Sequence, residues 1–270
     1  MNNTFDFGRF SKVFAYDLHK SVQNYGLSFI VLALLPLLTP LLYGLMSLFF
    51  SFDWQVPGLI ARCVIFILAV ACVSLTFAPG VYGKITDKRY GSEYLMIPAS
   101  SFEKFLSMTL ITAVIVPLVF TIAYGLVDLL AIGVSLAEGT PLLKFFVQNW
   151  VIAEDGAAVQ MGWIITLGLM LNTLVILLGS IYFKKFKIGK TILASFAVSI
   201  VLSFIMVSLF NMIIGNPDML TIVAEDVEEW IFSHADKIEL YLNAFIDVTY
   251  LVQYSVILVL TYIRVRTLKH

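Results

Sequence analysis

Residues 60–82 read IARCVIFILAVACVSLTFAPGVY, an apolar run interrupted by one charge, Arg62. At 1.5 Å of rise per residue a helix of this length reaches about 34 Å, enough to cross a hydrocarbon core about 30 Å thick. Working outward, runs of the same kind occupy roughly 27–50, 105–136, 161–183, 191–215 and 244–263. The expected fold is therefore all-α: a polytopic membrane protein whose six-transmembrane-helix bundle fills 27–270. Composition agrees, since 60% of the 270 residues are hydrophobic and 13% charged, against about 25% charged in soluble domains. No stretch between the runs is long enough for a separate soluble core, so one membrane domain with no attached nucleotide-binding unit is expected. Pro36, Pro40 and Pro117 fall inside runs and predict kinks. The third run would be about 48 Å long, so it must tilt, bend at Pro117 or project from the bilayer.

Lysine and arginine set the orientation, because short basic loops stay on the cytoplasmic side. The N-terminal segment carries Arg9, Lys12 and Lys20, the 84–104 connection Lys84, Lys88, Arg89 and Lys104, the next basic turn Lys184, Lys185, Lys187 and Lys190, and the tail Arg264, Arg266 and Lys269. These are 14 of the 17 basic residues. On the opposite side stand Lys144 and Lys237 among many acids, including Asp53, Glu138, Asp218 and Glu225. Both termini are thus expected in the cytoplasm, with the chain multi-pass in the cytoplasmic (inner) membrane. The first residues have no short apolar stretch with a cleavage site, so the first helix is expected to stay in the mature chain. Cys63 and Cys72 lie nine residues apart on one run, about 13 Å along a helix, too far to bridge; they read as small buried apolar side chains. Nothing in the charge distribution points to nucleic acid.

Residues 1–26 place Phe7, Phe10, Phe14 and Leu18 at helical spacing with Arg9, Lys12 and Lys20 on other faces. This predicts an amphipathic cytoplasmic interfacial helix lying on lipid, or else a short helix packed on the bundle. The external segment 216–243 repeats the pattern, with Ile222, Val223, Val227, Trp230, Ile231, His234 and Ile238 opposed to Glu225, Asp226, Glu228, Glu229, Asp236 and Glu239. A solvated acidic face is the simpler reading than a cation site, since no ligand set has a specific spacing. No metal, cofactor or catalytic constellation is expected: no His-Glu-x-x-His, Gly-x-Ser-x-Gly or Walker A sequence occurs.

The connection 84–107, KITDKRYGSEYLMIPASSFEKFLS, is the most informative. A charged run with Lys88 and Arg89 precedes Gly91-Ser92-Glu93, an apolar stretch with Leu95, and Pro98-Ala99-Ser100, where Ser100 or Ser101 is placed to cap a helix with Glu103 in its first turn. It resembles the loop of ABC-2 family exporter permeases in which a charged residue and Gly-Ser precede a short apolar helix and a Pro-x-Ser turn. The interval from Gly91 to Pro98 is shorter than in that pattern. The resemblance implies a coupling loop over 84–104, docking on a separate ATP-binding cassette ATPase subunit through Lys88, Arg89, Gly91, Ser92, Glu93, Leu95, Pro98 and Ser100. It also implies a dimer of permeases, identical or not, and no catalysis by the chain itself.

Ionisable groups inside the runs are costly and need a reason. Measured along helices from the basic ends, Arg62 is about 33 Å from Lys84, Asp128 about 36 Å from Lys104 and Asp247 about 26 Å from Arg264, so all three sit toward the external boundary. They read either as snorkelling groups or as an ion cluster, with Arg62 paired to Asp128 or Asp247, that closes an external gate. The leading expectation is the membrane-spanning permease subunit of an ATP-driven exporter. The competitors are an ion-coupled secondary transporter using Asp128 or Asp247, for which no half-to-half repeat is visible, and a non-transporting membrane scaffold.

Overall fold

The computed structural model describes residues 5–50, 58–86, 91, 94, 96–135, 141–142, 150–151, 158–159, 161–214 and 235–268. Among these the regular structure is helical apart from a short antiparallel pair, β1 (Trp150–Val151) and β2 (Ala158–Val159). The helices are α1 (Phe7–Ala33), α2 (Leu35–Phe50), α3 (Leu59–Val81), α4 (Ser101–Thr109), α5 (Val116–Ser135), α6 (Met161–Tyr182), α7 (Lys187–Ile214) and α8 (Ala235–Thr267). Among the described residues, four stretches are long and apolar enough to cross a membrane: Phe7–Phe49, Ala61–Thr86, Ser101–Gly133 and Asp247–Thr267. On the two remaining runs stand α6 and α7, of 22 and 28 residues.

The N-terminal boundary differs from expectation. One helix passes through residue 26 without a break and ends at Ala33, because nothing before Pro36 removes a backbone donor. The stretch Phe7–Phe49 has 43 residues, about 65 Å and twice a bilayer, so its polar first half lies outside any hydrocarbon core. That first half buries Val13, Asp17 and Ser21 and sets Phe14 and Leu18 against the bundle core, while Phe7 points outward. The stripe expected on lipid is largely spent on protein.

The long third run is built in three pieces, α4, a π-helical stretch Leu110–Ile115, and α5. Pro117 has no N–H, and its ring crowds the carbonyl four residues back. Just before it the ladder widens, and the Val116 N–H bonds the Ile111 carbonyl, five residues back. The expected distortion is therefore spread over the turn preceding the proline.

Packing forms two clusters. Tyr82 of the turn after α3, Met108, Ile111, Leu177 and Ile181 join α3, α4 and α6; Phe66, Phe120, Tyr124 and Leu142 join α3 to α5. In the second, Phe29 meets Phe120 edge-on at 5.1 Å and Phe66 meets Tyr124 at 5.1 Å. In α6, Gly179 lets α7 approach so closely that a Cβ there would lie 1.9 Å from Thr191 Oγ1 and 2.6 Å from Thr191 Cβ. Small residues at such crossings are how helices associate where no water is squeezed out. The outer faces are apolar, with Phe49 80% and Phe204 71% exposed, the reverse of a water-facing surface. Cys63 and Cys72 are both free, but Cys72 is exposed rather than buried, because it lies on the outward side of α3.

Candidate functional site

At the lysine-rich end of the bundle, Ser100 and Glu103 form a reciprocal cap on α4. The Ser100 Oγ accepts the Glu103 N–H at 3.2 Å, and Glu103 Oε2 accepts the Ser100 N–H at 2.8 Å. The other oxygen, Oε1, accepts the Asp6 N–H at 2.9 Å and the Arg9 guanidinium at 3.1 Å. Asp6 in turn caps α1, its Oδ1 accepting the Gly8 N–H at 2.8 Å. A single carboxylate, fully buried, thus ties two helix starts together. Burial works against its charge, but the backbone donors of Ser100 and Asp6 and the Arg9 charge outweigh it and hold the carboxyl below the usual range.

Further along the same contact, buried Asp17 accepts the Ser107 hydroxyl at 2.7 Å. Burial pushes its carboxyl up to about 6, against the opposing effects of the Ser107 bond, Lys20 and Lys104. The Lys104 ammonium donates to the Tyr94 carbonyl at 2.9 Å and lies over the Tyr94 ring at 5.2 Å. An aromatic chain completes the join, with Phe5 to Phe102 at 6.0 Å and Phe105 to Tyr262 at 5.5 Å. Helix C-termini at this end are closed by cations from other helices. Lys187 donates to the Gly83 carbonyl, and Arg264 donates to that of Ile181 at 3.3 Å.

Of the predicted docking residues, Gly91 is buried, Pro98 is exposed and Ser100 is the cap of α4, while Lys88, Arg89, Ser92, Glu93 and Leu95 lie outside the described residues. Buried Gly91 and Tyr94 anchor this stretch in the bundle, and Met96 two residues on is 80% exposed. The segment from 216 to 234, expected to be external and including His234, also lies outside the described residues; from Ala235 the chain is helical.

At the other end the structure brings Arg62 and Asp128 together. One guanidinium nitrogen lies 3.0 Å from both Asp128 oxygens, and Asp128 Oδ2 also accepts the Leu142 N–H at 2.9 Å. Both side chains are buried, so the pair joins α3, α5 and the segment at Leu142. Asp247 is not part of it and stands exposed on α8. Its helix packs on α6 and α4 rather than on α3 and α5, which hold the pair. Sequence reasoning missed Asp17; its available signal was an acid four residues from both Val13 and Ser21 in a basic segment. Searches of protein-family models, of curated proteins and of solved structures find no match to this chain.

Proposed function

We propose that the chain crosses the cytoplasmic membrane six times, with both termini inside, and serves as the permease subunit of an ATP-driven exporter. A separate ATP-binding cassette subunit does the hydrolysis, and two permease subunits form the pathway. The observation that carries this reading is the stretch ahead of α4. Gly91 and Tyr94 root it in the bundle, Lys104 holds the Tyr94 main chain, and Met96 and Pro98 face outward. A partner pressing on that surface pushes on α4, and through Glu103 and Asp17 on α1, so two membrane helices receive the motion as one body. At the far end the Arg62–Asp128 knot closes the external side. Its carboxylate is taken up by Arg62 and the Leu142 N–H, which suits a clamp better than an ion-coupling relay.

The test is purification of the tagged chain from its native membrane in mild detergent, beside a variant carrying Arg89→Glu, Glu93→Lys and Met96→Asp. Stoichiometric recovery of an ATPase with the first chain and its loss with the variant is the expected result. Absence of any ATPase from the wild-type preparation refutes the exporter reading.

A further inference from the structure

The turn between α6 and α7 reads FKKFKIGK over residues 183–190, four lysines and no acid. Lys187 folds inward onto the Gly83 carbonyl. Lys184, Lys185 and Lys190 are exposed and have no ion-pair partner among the described residues. Between them Phe186 is 83% exposed and takes a φ of 52°, a left-handed conformation that a bulky residue rarely adopts. The close approach of the two helices at Gly179 and Thr191 leaves this short connection little room. The ring nonetheless projects into the surroundings instead of folding back. One turn up α7, Ile192, Leu193 and Phe196 are also exposed, so the ring continues an apolar outer face at the point where that face meets the lysines.

We infer that this turn is an anchor for anionic phospholipid: Phe186 enters the headgroup boundary, and Lys184, Lys185 and Lys190 pair with lipid phosphates around it. An aromatic ring at the interface together with unpaired lysines is the pairing that a negatively charged leaflet rewards. Continuity with the apolar face of α7 favours lipid over an acidic protein surface. The inference rests on the reading that α6 and α7 cross the bilayer.

The test measures retention of phosphatidylglycerol against phosphatidylcholine on the full chain by native mass spectrometry, for wild type and a Lys184→Gln, Lys185→Gln, Lys190→Gln variant. At about fivefold per lysine near a charged surface, the variant should hold phosphatidylglycerol on the order of a hundredfold more weakly, with phosphatidylcholine unchanged. Phe186→Gly supplies a second readout, because glycine fits the backbone there without steric cost. Its unfolding midpoint should match or exceed wild type in detergent and fall below it in phosphatidylglycerol nanodiscs. Unchanged phosphatidylglycerol retention in the triple variant, or an equal rise of the Phe186→Gly midpoint in both media, overturns the assignment. Retained lipid with loss of a co-purifying protein overturns it in favour of a protein-docking turn. Carbonate extraction separates the premises: a chain that stays in carbonate-washed membranes while the lipid result fails contradicts the anchor alone, and a chain that washes out contradicts the spanning reading as well.

Discussion

Neutralising one member of the Arg62–Asp128 pair should destabilise the protein far more than its share of the contact suggests. The side chains are 7% and 1% exposed and 3.0 Å apart, so removal of either charge leaves the other buried without the counter-charge beside it. Breaking a buried pair in this way costs about 3–5 kcal/mol; only replacement of the whole pair by well-packed apolar groups is often close to neutral, and an Asn–Gln pair still buries polar groups. Asp128→Asn and Arg62→Gln are each expected to lose about 3 kcal/mol or more. The double variant should lose less than the sum of the two, with a coupling of about 2 kcal/mol. Equilibrium unfolding in mixed detergent micelles, completed as a double-mutant cycle, measures all three. Additive losses would refute the clamp. Asp247→Asn is the control: exposed and apart from the pair, it should leave the cycle unchanged.

Other outcomes follow from the α1–α4 contact and the helix crossings. Glu103→Gln keeps part of the cap but loses the charge that meets Arg9, so protease cleavage near residues 5–10 should speed up while the bundle stays folded. Asp17 is raised to about 6 from 3.8, so its native form binds the proton more tightly than the unfolded chain. Its burden is therefore absent below about pH 4 and fully present above about pH 6, worth about 3 kcal/mol at 1.36 per pKa unit. Asp17→Asn should stabilise the fold at pH 7 and flatten that part of the pH profile, as read from unfolding midpoints. Glu103 runs the other way: its lowered carboxyl stabilises above its unfolded pKa of about 4.5, and that stability is lost as pH falls through the lower folded value. Gly179→Val should cost more than Gly80→Ala in thermal unfolding, because the first meets Thr191 at its Cβ whereas the second meets the swingable end of Tyr25.

Apolar length placed two of the helices nearly to the residue. The run at 60–82 became α3 at Leu59–Val81, and the run at 161–183 became α6 at Met161–Tyr182. Ser100 and Glu103 were legible as a helix start because capping is local chemistry, and depth along the helices narrowed the partner of Arg62 to Asp128 or Asp247 without choosing between them. The tertiary use of those groups was not. That Glu103 spends its second oxygen on Asp6 and Arg9 depends on how α1 crosses α4, which no spacing within either segment records. Asp247 stands exposed on a helix that packs on α6 and α4, and depth along a helix carries no information about which helices are neighbours. The π-helical stretch before Pro117 was visible only as a kink, because widening the turn and bending the axis are alternative answers to the same missing donor.

The membrane path itself is open to direct measurement. In a chain with Cys63→Ala and Cys72→Ala, single cysteines at Lys12, Gly58 and Lys185 are exposed to a membrane-impermeant maleimide in right-side-out and inverted vesicles. A chain with both termini inside should be labelled at positions 12 and 185 only in inverted vesicles and at position 58 only in right-side-out ones. Labelling of all three from the same side would contradict that path.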